Sequence, residues 1–327
     1  KADVRAAQFE ACKDPAKKHR IAYEIVMAKI QRSRDVLKWL AERYDIEKHR
    51  RRLDKESLAL PKAKTVNEIR IVEGRVAQQY WLAIQSIVPE TFCFQSRITR
   101  SHQYNASDPF NLCLNYAYGV LEGYVRRAIN TVGLEPSVGF LHEFSGSQTK
   151  ESLVYDLQEP FRWLGDATTI EAFESGALDM KDFYFLGDDY RYHIEVEAKR
   201  RFLELLKDRF NVGVRHGGKT WKWDTIILSK TQNLAHFLLE RSRQIDFVEP
   251  RPSLHRSDTQ ELRNRILELT QSEARRLGIG KSTLHYLRTN AMNNRSFKVY
   301  QKVAGKLRHR RSPDFRTLPI SLRLQTP

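Results

Sequence analysis

The sequence predicts a mainly α-helical fold with one small β-hairpin and a C-terminal helix-turn-helix domain. Three observations predict it. Apolar residues recur at helical spacing through most of residues 1–250, and Asp-Pro pairs mark the starts of two helices. The Pro-rich segment VEPRPSLHRSD then separates this helical body from a strongly basic C-terminal region. We therefore expect a helical domain at residues 1–250, a helix-turn-helix domain at residues 251–308 and a basic flexible tail at residues 309–327.

The first long helix is predicted from Asp14 to about Arg43. The Asp14 carboxylate suits an N-cap, and Pro15 suits the first helical position. Apolar residues follow at mostly helical spacing as far as Leu40. The polar, basic segment EKHRRRLDKE that comes next is interpreted as a helix end or a linker with an exposed surface.

A second helix is predicted over about residues 65–86, with Glu73 on its apolar face. Glu73 lies four residues after Ile69 and three before Val76, so the three side chains share one face. An ionised carboxylate among apolar neighbours needs a charged partner or a bound cation. Taken by itself, this helix favours a salt bridge over a metal ligand.

A central helix is predicted to begin at Asp108-Pro109, because the residues that follow are apolar on nearly all sides. The segment GLEPSVG ends this helix, and His142 follows in the same turn. The next helix, over about residues 149–163, carries Asp156 within its apolar stripe. Pro160 cannot donate to the carbonyl of Asp156, so a bend is expected there.

The remainder of the body is predicted as short helices and loops with one hairpin. Residues 167–190 are mixed and acidic, and a helix is expected over about 192–210. The segment NVGVRHGGKTWKW predicts a β-hairpin that turns at Gly217-Gly218. A further helix is expected from Asp224 onwards.

Positive charge is concentrated at the C-terminal end. The chain has a formal net charge of +16, and residues 251–327 contain 17 Lys and Arg against 5 Asp and Glu, which gives +12 for this segment alone. A basic module on a nearly neutral body favours a polyanionic partner, most simply nucleic acid. The alternative is a solvated basic tail.

The segment QSEARRLGIGKSTLHYLRTNA has a helix-turn-helix pattern. Small Ala274 is expected where two helices cross, Gly278 in the turn, and Leu284 on the face that packs back. Inside so basic a segment, the pattern favours DNA binding over a generic helical hairpin. The side chains expected to contact phosphates and base edges are Lys281, Ser282, Thr283, His285 and Arg288.

Two carboxylates and one imidazole suggest a metal site for phosphodiester chemistry. Glu73, His142 and Asp156 are the candidate catalytic residues and metal ligands. This donor set suits Mg²⁺ or Mn²⁺, and the imidazole makes Mn²⁺ particularly acceptable. The cation would bind a phosphodiester oxygen and orient the nucleophile. Water as the nucleophile would give a nuclease, and a DNA 3′-hydroxyl would give a strand-transfer enzyme.

Four segments carry a resemblance to a known family: VEGRVAQQYW around Glu73, DPFNLCLNYAYGVLEGYVRRAI, GLEPSVGFLHE around His142, and SLVYDLQEPFRWLGD around Asp156. They resemble the CRISPR-associated adaptation integrases and their transposon relatives, the casposases. The resemblance is close over about residues 66–166. It implies a helical catalytic domain at residues 1–250 that dimerises and joins a DNA 3′-hydroxyl to target DNA. It also implies that the family's three metal-binding positions fall on Glu73, His142 and Asp156.

The resemblance leaves secondary roles for two acidic neighbours and shows two departures. Glu143 and Asp166 are expected to support the site or the fold. The family's usual N-terminal β-domain is expected to be absent from this chain, and the predicted helix-turn-helix domain follows the catalytic body. An appended DNA-binding module suits an enzyme that must recognise DNA by itself, so a casposase-like transposase is preferred.

Three alternatives stay open. The first is a CRISPR adaptation integrase that inserts spacers with a small partner protein. The second is a non-catalytic helix-turn-helix regulator, and the third is a hydrolytic nuclease. For the preferred reading the partners are double-stranded DNA, as donor end and target, and further copies of the chain in a homodimer or dimer of dimers.

The expected location is the cytoplasm of a prokaryotic cell, with no membrane partner. Cys12, Cys93 and Cys113 lack metal-ligand spacing and are expected to be reduced. No apolar run approaches the ~20 residues of a membrane span, and the first residues do not resemble a signal peptide.

Overall fold

The structure is a computed structural model that describes residues 1–97, 106–142, 151–187, 191–248, 250, 254, 269–276 and 279–289. The chain divides into two compact units, Lys1–Leu254 and His255–Pro327. The predicted tail at 309–327, Glu143 and the predicted turn residue Gly278 lie outside the described residues.

The first unit is mainly helical, which confirms the predicted fold class at that level. Its helices are α1 (Ala2–Lys13), α2 (Pro15–Ala41), α3 (Glu47–Ser57), α4 (Val66–Gln85), α5 (Pro109–Val132), α6 (Ser152–Gln158), α7 (Trp163–Glu174), α8 (Val196–Asn211) and α9 (Trp223–Leu238). A 3-10 turn, Glu159–Phe161, joins α6 to α7.

Two antiparallel hairpins accompany the helices of the first unit. One pairs β1 (Phe183–Leu186) with β2 (Arg191–Ile194), and the other pairs β3 (Val214–His216) with β4 (Lys219–Trp221). The β3–β4 turn uses Gly217 and Gly218, both at positive φ, as the sequence predicts. The β1–β2 hairpin was not predicted, so the expectation of a single hairpin is wrong.

Polar caps and prolines define where the central helices begin. The Asp14 carboxylate accepts hydrogen bonds from the backbone N–H groups of Ala16 and Lys17, and Pro15 opens α2. Asp108 caps α5 in the same manner. Thr65 caps α4 by accepting from the N–H of Glu68. These starts agree with the sequence prediction.

The interior of the first unit is formed by α5 packed on α6, α7 and α9, by α7 packed on α8, and by α2 packed on α4 and on the turn that follows α6. Phe110, Phe140 and Phe202 are among the largest fully buried side chains. On α2, apolar residues with no exposure recur along one side, including Ile21, Ile25 and Val36. This packing fixes α2 and α4 beside each other.

Three segments were either not assigned from the sequence or differ from their predictions. Residues 2–13 form α1, for which no helix was predicted. EKHRRRLDKE belongs to a separate helix, α3, which packs on α4 and buries Leu53 and Ser57. The helix expected over 149–163 is interrupted at Pro160, where the 3-10 turn replaces the predicted simple bend.

The described part of the second unit contains two short helices, α10 (Gln271–Arg276) and α11 (Lys281–Thr289). Ala274, Ile279 and Leu284 are buried. The Thr270 hydroxyl accepts from the N–H of Glu273, whose carboxylate accepts from the N–H of Thr270, so a capping box starts α10. The pair is compatible with the helix-turn-helix prediction, which remains a prediction.

None of the helices in the described ranges combines the length and the apolar character that crossing a lipid bilayer demands.

Candidate functional site

The loop that follows α5 is shaped by a glycine and by a glutamine from α1. Gly133, at a φ of +92°, ends the helix in the left-handed conformation. Fully buried Gln8 donates from Nε2 to the carbonyls of Glu135 (3.0 Å) and Val138 (2.7 Å). Its Oε1 accepts from the N–H of Glu135 at 2.7 Å. The loop that carries His142 is therefore fastened to α1.

Asp156 closes the other end of this loop. Its Oδ2 accepts from the backbone N–H groups of Phe140 (2.5 Å) and Leu141 (2.9 Å), and its Oδ1 accepts from that of His142 (2.9 Å). The residue has no exposed surface. A Cβ on Gly139 would lie 2.7 Å from Asp156 Oδ2, so only glycine fits at this close approach.

The same carboxylate orients the imidazole of His142. Nδ1 lies 2.7 Å from Asp156 Oδ1, and the His142 side chain is 32% exposed. Since a carboxylate can only accept, we assign the proton to Nδ1. Nε2 is then the ring nitrogen with a free lone pair, as in histidines that bind metals while a carboxylate holds the other nitrogen.

Glu73 and a second carboxylate, Glu159, both contact the same lysine, Lys29. The ammonium of Lys29, on α2, forms an ion pair with Glu73 and also lies 2.6 Å from Oε2 of Glu159. Glu159 is 3% exposed, and its Oε1 lies 3.1 Å from the guanidinium of Arg162. Lys29, Glu73, Glu159 and Arg162 thus form one cluster of four charged groups.

The charges at this cluster stabilise one another. Burial raises the pKa of Glu159, but Arg162 and Lys29 outweigh burial and lower it from 4.5 to about 2, with a smaller contribution from His142. Burial lowers the pKa of Lys29, yet Glu159 and Glu73 outweigh it, and the net shift is upward from 10.5. Glu159 and Lys29 are therefore both charged at neutral pH.

The predicted site residues are only partly brought together. His142 and Asp156 are in direct contact, whereas Glu73 contacts Lys29, which joins it to Glu159. Sequence reasoning missed Lys29 and Glu159. A signal for Lys29 exists, because it lies between fully buried Val26 and buried Ser33 on the apolar side of α2. Glu159 has no such signal, because it lies in the 3-10 turn, where helical spacing does not predict which side of the chain a residue faces.

A cavity of about 240 Å³ opens beside Glu73 and Glu159. Its lining combines cations with aromatic rings and includes Lys29, Arg97, Arg162, Tyr118 and Trp81. Arg97 donates to the side-chain carbonyls of Asn111 and Asn115, both at 2.8 Å. The guanidinium carbons of Arg97 and Arg162 lie 5.0 and 5.1 Å from the centre of the Tyr118 ring. Such a lining suits a phosphate-bearing ligand.

Asp166 forms the inner wall of this cavity. It is 4% exposed and accepts from the hydroxyls of Tyr80 (2.8 Å) and Tyr118 (2.6 Å). Burial raises its pKa from 3.8 to about 6, although the two hydroxyls oppose that shift. Its contacts hold α4, α5 and α7 together, in line with the supporting role expected of it.

The residues present fit a divalent cation chemically. The carboxylates of Glu73 and Glu159 and the imidazole of His142 are oxygen and nitrogen donors that Mg²⁺ or Mn²⁺ accepts. A positively charged group, the Lys29 ammonium, already lies between the two carboxylates. No three His, Cys, Asp or Glu side chains form a ready metal cluster in the parts of the chain that the structure describes. A metal ion between Glu73 and Glu159 therefore requires this ammonium to withdraw.

In the second unit, the predicted DNA contacts lie at the start of α11. Lys281, Ser282 and His285 are exposed, and Thr283 is half-buried. Arg288 belongs to α11, but its side chain lies outside the described residues.

Comparisons with known proteins agree on one family. The sequence model of the family "CRISPR associated protein Cas1" matches residues 1–208. The chain is 31% identical over 244 residues to CRISPR-associated endonuclease Cas1 3 of Thermus thermophilus, a match that covers 73% of the chain and 69% of the relative. It is 30% identical over 197 residues to CRISPR-associated endonuclease Cas1 1 of Saccharolobus solfataricus, covering 59% of the chain and 55% of that relative.

A solved structure of a casposase bound to integration product is also similar. The superposition has a TM-score of 0.69 and 34% sequence identity, and it covers 81% of this chain and 73% of that one. The chain thus spans between about half and about seven-tenths of the length of these relatives.

Proposed function

Because the chain belongs to the family of CRISPR-associated protein Cas1, we propose that it is a divalent-metal-dependent DNA integrase. It joins a DNA 3′-hydroxyl to a target phosphodiester by transesterification. The observation that carries this proposal is the pair Glu73 and Glu159, two carboxylates held around one cationic group beside a cavity lined with arginine and tyrosine.

The proposed ligands are Glu73, His142 and Glu159, and Asp156 is assigned to positioning. Both oxygens of Asp156 already accept backbone N–H groups, and Oδ1 also holds His142. Glu159 accepts no backbone N–H that the structure records, and its two oxygens face only the side chains of Lys29 (2.6 Å) and Arg162 (3.1 Å). We therefore propose Glu159 as the third ligand, in place of Asp156, which the sequence suggests.

In the proposed reaction, the 3′-hydroxyl oxygen attacks a target phosphorus, and the bond from that phosphorus to its bridging oxygen breaks. The hydroxyl proton leaves to solvent, and the departing oxygen takes one up. Bound Mg²⁺ or Mn²⁺ would supply Lewis-acid stabilisation of the negative charge that develops on the phosphoryl oxygens. Asp156 fixes the ring of His142, and Arg97 and Arg162 stabilise the anionic backbone in the cavity.

Within this family we favour a casposase-like transposase. The two helices α10 and α11 lie in a segment of net charge +12, which suits a DNA-binding module attached to the catalytic unit. The 34% identity to a casposase that was solved with integration product supports the same choice. The proposed partners are a donor DNA end, target DNA and further copies of the chain.

The CRISPR adaptation integrase remains the second candidate, because the curated relatives reported above are CRISPR-associated endonucleases. The two candidates differ in what they require. The transposase joins a donor end to plasmid DNA with no other protein present. The adaptation enzyme requires a small partner protein and a CRISPR repeat.

The deciding experiment incubates the protein with Mn²⁺, a labelled oligonucleotide with a 3′-hydroxyl and a supercoiled plasmid. We expect a covalent joined product that disappears with EDTA, with a 3′-dideoxy oligonucleotide and with Glu73→Gln. Plasmid cleavage without joining would identify a hydrolytic nuclease. DNA binding that ignores chelator, together with no joining under any condition, would identify a regulator and reject the integrase.

A further inference from the structure

Lys29 lies where the proposed metal site needs a cation, and its contacts define what it does there. Its ammonium pairs with Glu73 from α4 and lies 2.6 Å from Glu159 in the 3-10 turn, so it touches two of the three proposed ligands. Only 17% of its side chain is exposed. Glu159, whose side chain is 3% exposed, would not tolerate its burial as a carboxylate without a positive partner.

We propose that Lys29 is a built-in counter-cation that neutralises Glu73 and Glu159 while no metal is bound and is displaced from between them when Mg²⁺ or Mn²⁺ binds. This inference rests on the proposed function, since it concerns the same site. It makes Lys29 a positioning residue that competes with the metal ion, and no property of the reacting atoms is assigned to it.

The backbone of Lys29 is fixed, but its charged end is not. The neighbouring residues Ala28 and Ile30 are 0% and 1% exposed, so their packing holds α2 in its position at this point. A lysine side chain carries its ammonium on four flexible methylenes, and this ammonium borders the cavity of about 240 Å³. It can therefore withdraw from the carboxylates into the cavity without a movement of α2.

Charge balance explains why displacement is useful. Lys29 and Arg162 supply two positive charges, and Glu73 and Glu159 supply two negative ones, so the cluster is neutral without metal. A bound divalent ion would add two positive charges. The loaded site then attracts the anionic DNA backbone, and the displaced ammonium adds to the cationic lining beside Arg97 and Arg162.

A purely structural salt bridge makes the opposite prediction for metal binding. If Lys29 only supported the fold, its removal would loosen the arrangement of Glu73 and Glu159 and weaken Mn²⁺ binding. If it competes with the ion, its removal leaves two carboxylates in need of a cation and strengthens Mn²⁺ binding. The direction of the change separates the two.

The test compares wild type with Lys29→Met by calorimetric titration with Mn²⁺ and by thermal unfolding in EDTA and in Mn²⁺. In EDTA, we expect Lys29→Met to unfold at a lower temperature than wild type. Addition of Mn²⁺ should raise the unfolding temperature of Lys29→Met by more than it raises that of wild type. Its dissociation constant for Mn²⁺ should fall by on the order of tenfold, because an unpaired buried carboxylate gains more from a bound cation than a paired one. Lys29→Gln, which keeps a hydrogen-bond donor, undergoes the same measurements so that a folded variant is available in EDTA.

Lys230→Met is the matched control. Lys230 is 5% exposed and bonds Asp246 at 2.8 Å, so it is a similarly buried lysine paired with a carboxylate outside the cavity lining. This variant should lose stability without any change in its response to Mn²⁺.

The outcomes separate this inference from the proposed function. If wild type binds Mn²⁺ and both Lys29→Met and Lys29→Gln bind it equally well or more weakly, the proposed role of Lys29 is wrong. The proposed integrase function is not affected by that result. Wild type that shows no Mn²⁺ binding at all overturns both. Tighter binding in the Lys29 variants, with Lys230→Met unchanged, supports the exchange of ammonium for metal.

Discussion

Nδ1 of His142 lies 2.7 Å from Oδ1 of Asp156, and the Asp156 carboxylate also accepts the N–H groups of Phe140, Leu141 and His142. A carboxylate with this many donors holds a loop in shape. Glu159, three residues further on, accepts no backbone N–H that the structure records and instead faces Lys29 and Arg162. Two acids that are close in sequence thus have different contacts, which leads to different expectations for their substitution.

Asp156→Asn and Glu159→Gln should separate loop stability from metal binding. We expect Asp156→Asn to lower the free energy of unfolding by about 1–3 kcal/mol, because an amide nitrogen placed among N–H donors leaves buried groups unsatisfied. It should retain a reduced Mn²⁺-induced rise in unfolding temperature. Glu159→Gln should lose that rise. A variant pair with the opposite pattern would return the ligand role to Asp156.

Gly139→Ala should disturb the loop, and Gly119→Ala should not. A Cβ at Gly139 would lie 2.7 Å from Asp156 Oδ2 and 2.8 Å from the Cβ of Ser152, so the loop must shift at a cost of about 1–3 kcal/mol. A Cβ at Gly119, in the middle of α5, meets nothing within 4 Å, and alanine should stabilise that helix by up to about 1 kcal/mol. Urea unfolding of both variants measures the difference. Equal stability of the two would refute the close approach at Gly139.

Asp166 should make stability fall as pH rises from about 4 to about 6. Its pKa is raised from 3.8 to about 6, with burial as the main cause, so the folded protein holds this proton more tightly than the unfolded chain. The destabilising effect is absent below about pH 4 and fully present above about pH 6, and it amounts to on the order of 3 kcal/mol.

The measurement compares wild type with Asp166→Asn, which cannot ionise, by urea unfolding at several pH values between 4 and 7.5. The stability of wild type relative to this variant should decrease across that range. A difference that stays constant with pH would mean that the Asp166 carboxyl titrates near its ordinary pKa.

Lys281→Ala and Arg288→Ala should weaken DNA binding through the second unit. Lys281 is exposed at the start of α11, and each lost phosphate contact lowers the slope of log affinity against log salt by about 1. Binding to a duplex is measured by fluorescence anisotropy at several salt concentrations. Lys219→Ala, at the exposed turn of the β3–β4 hairpin, serves as control. Unchanged slopes for both variants would show that α11 does not face DNA.

Sequence reasoning predicted the helices whose ends carry strong local signals. Asp14-Pro15, Thr65 and Asp108-Pro109 each place a capping side chain next to an apolar repeat, and α2, α4 and α5 begin there. It missed α3 because that helix buries little besides Leu53, so its stability comes from contact with α4 and not from its own pattern.

The candidate site was predictable only where the helical period continues. Glu73 and the loop histidine follow from spacing and from turn residues. Glu159 does not follow from the sequence in this way. Pro160 interrupts the helix after α6, and in the resulting 3-10 turn a spacing of 3.6 residues does not predict the direction of the Glu159 side chain. Lys29 was overlooked since a lysine in a long amphipathic helix is ordinarily exposed. Its pairing depends on a carboxylate 130 residues away in the sequence.

The fastening of the histidine loop by Gln8 also has a consequence for the folding of the first unit. Gln8 and its hydrogen-bond partner Val138 are separated by 130 residues in the sequence. Contacts of such separation form late in folding, after local helices. We therefore expect the loop that carries His142 to reach its final position after the local helices have formed. If the proposed function is right, DNA joining requires α1 to be docked first, because Gln8 fixes the loop that carries His142.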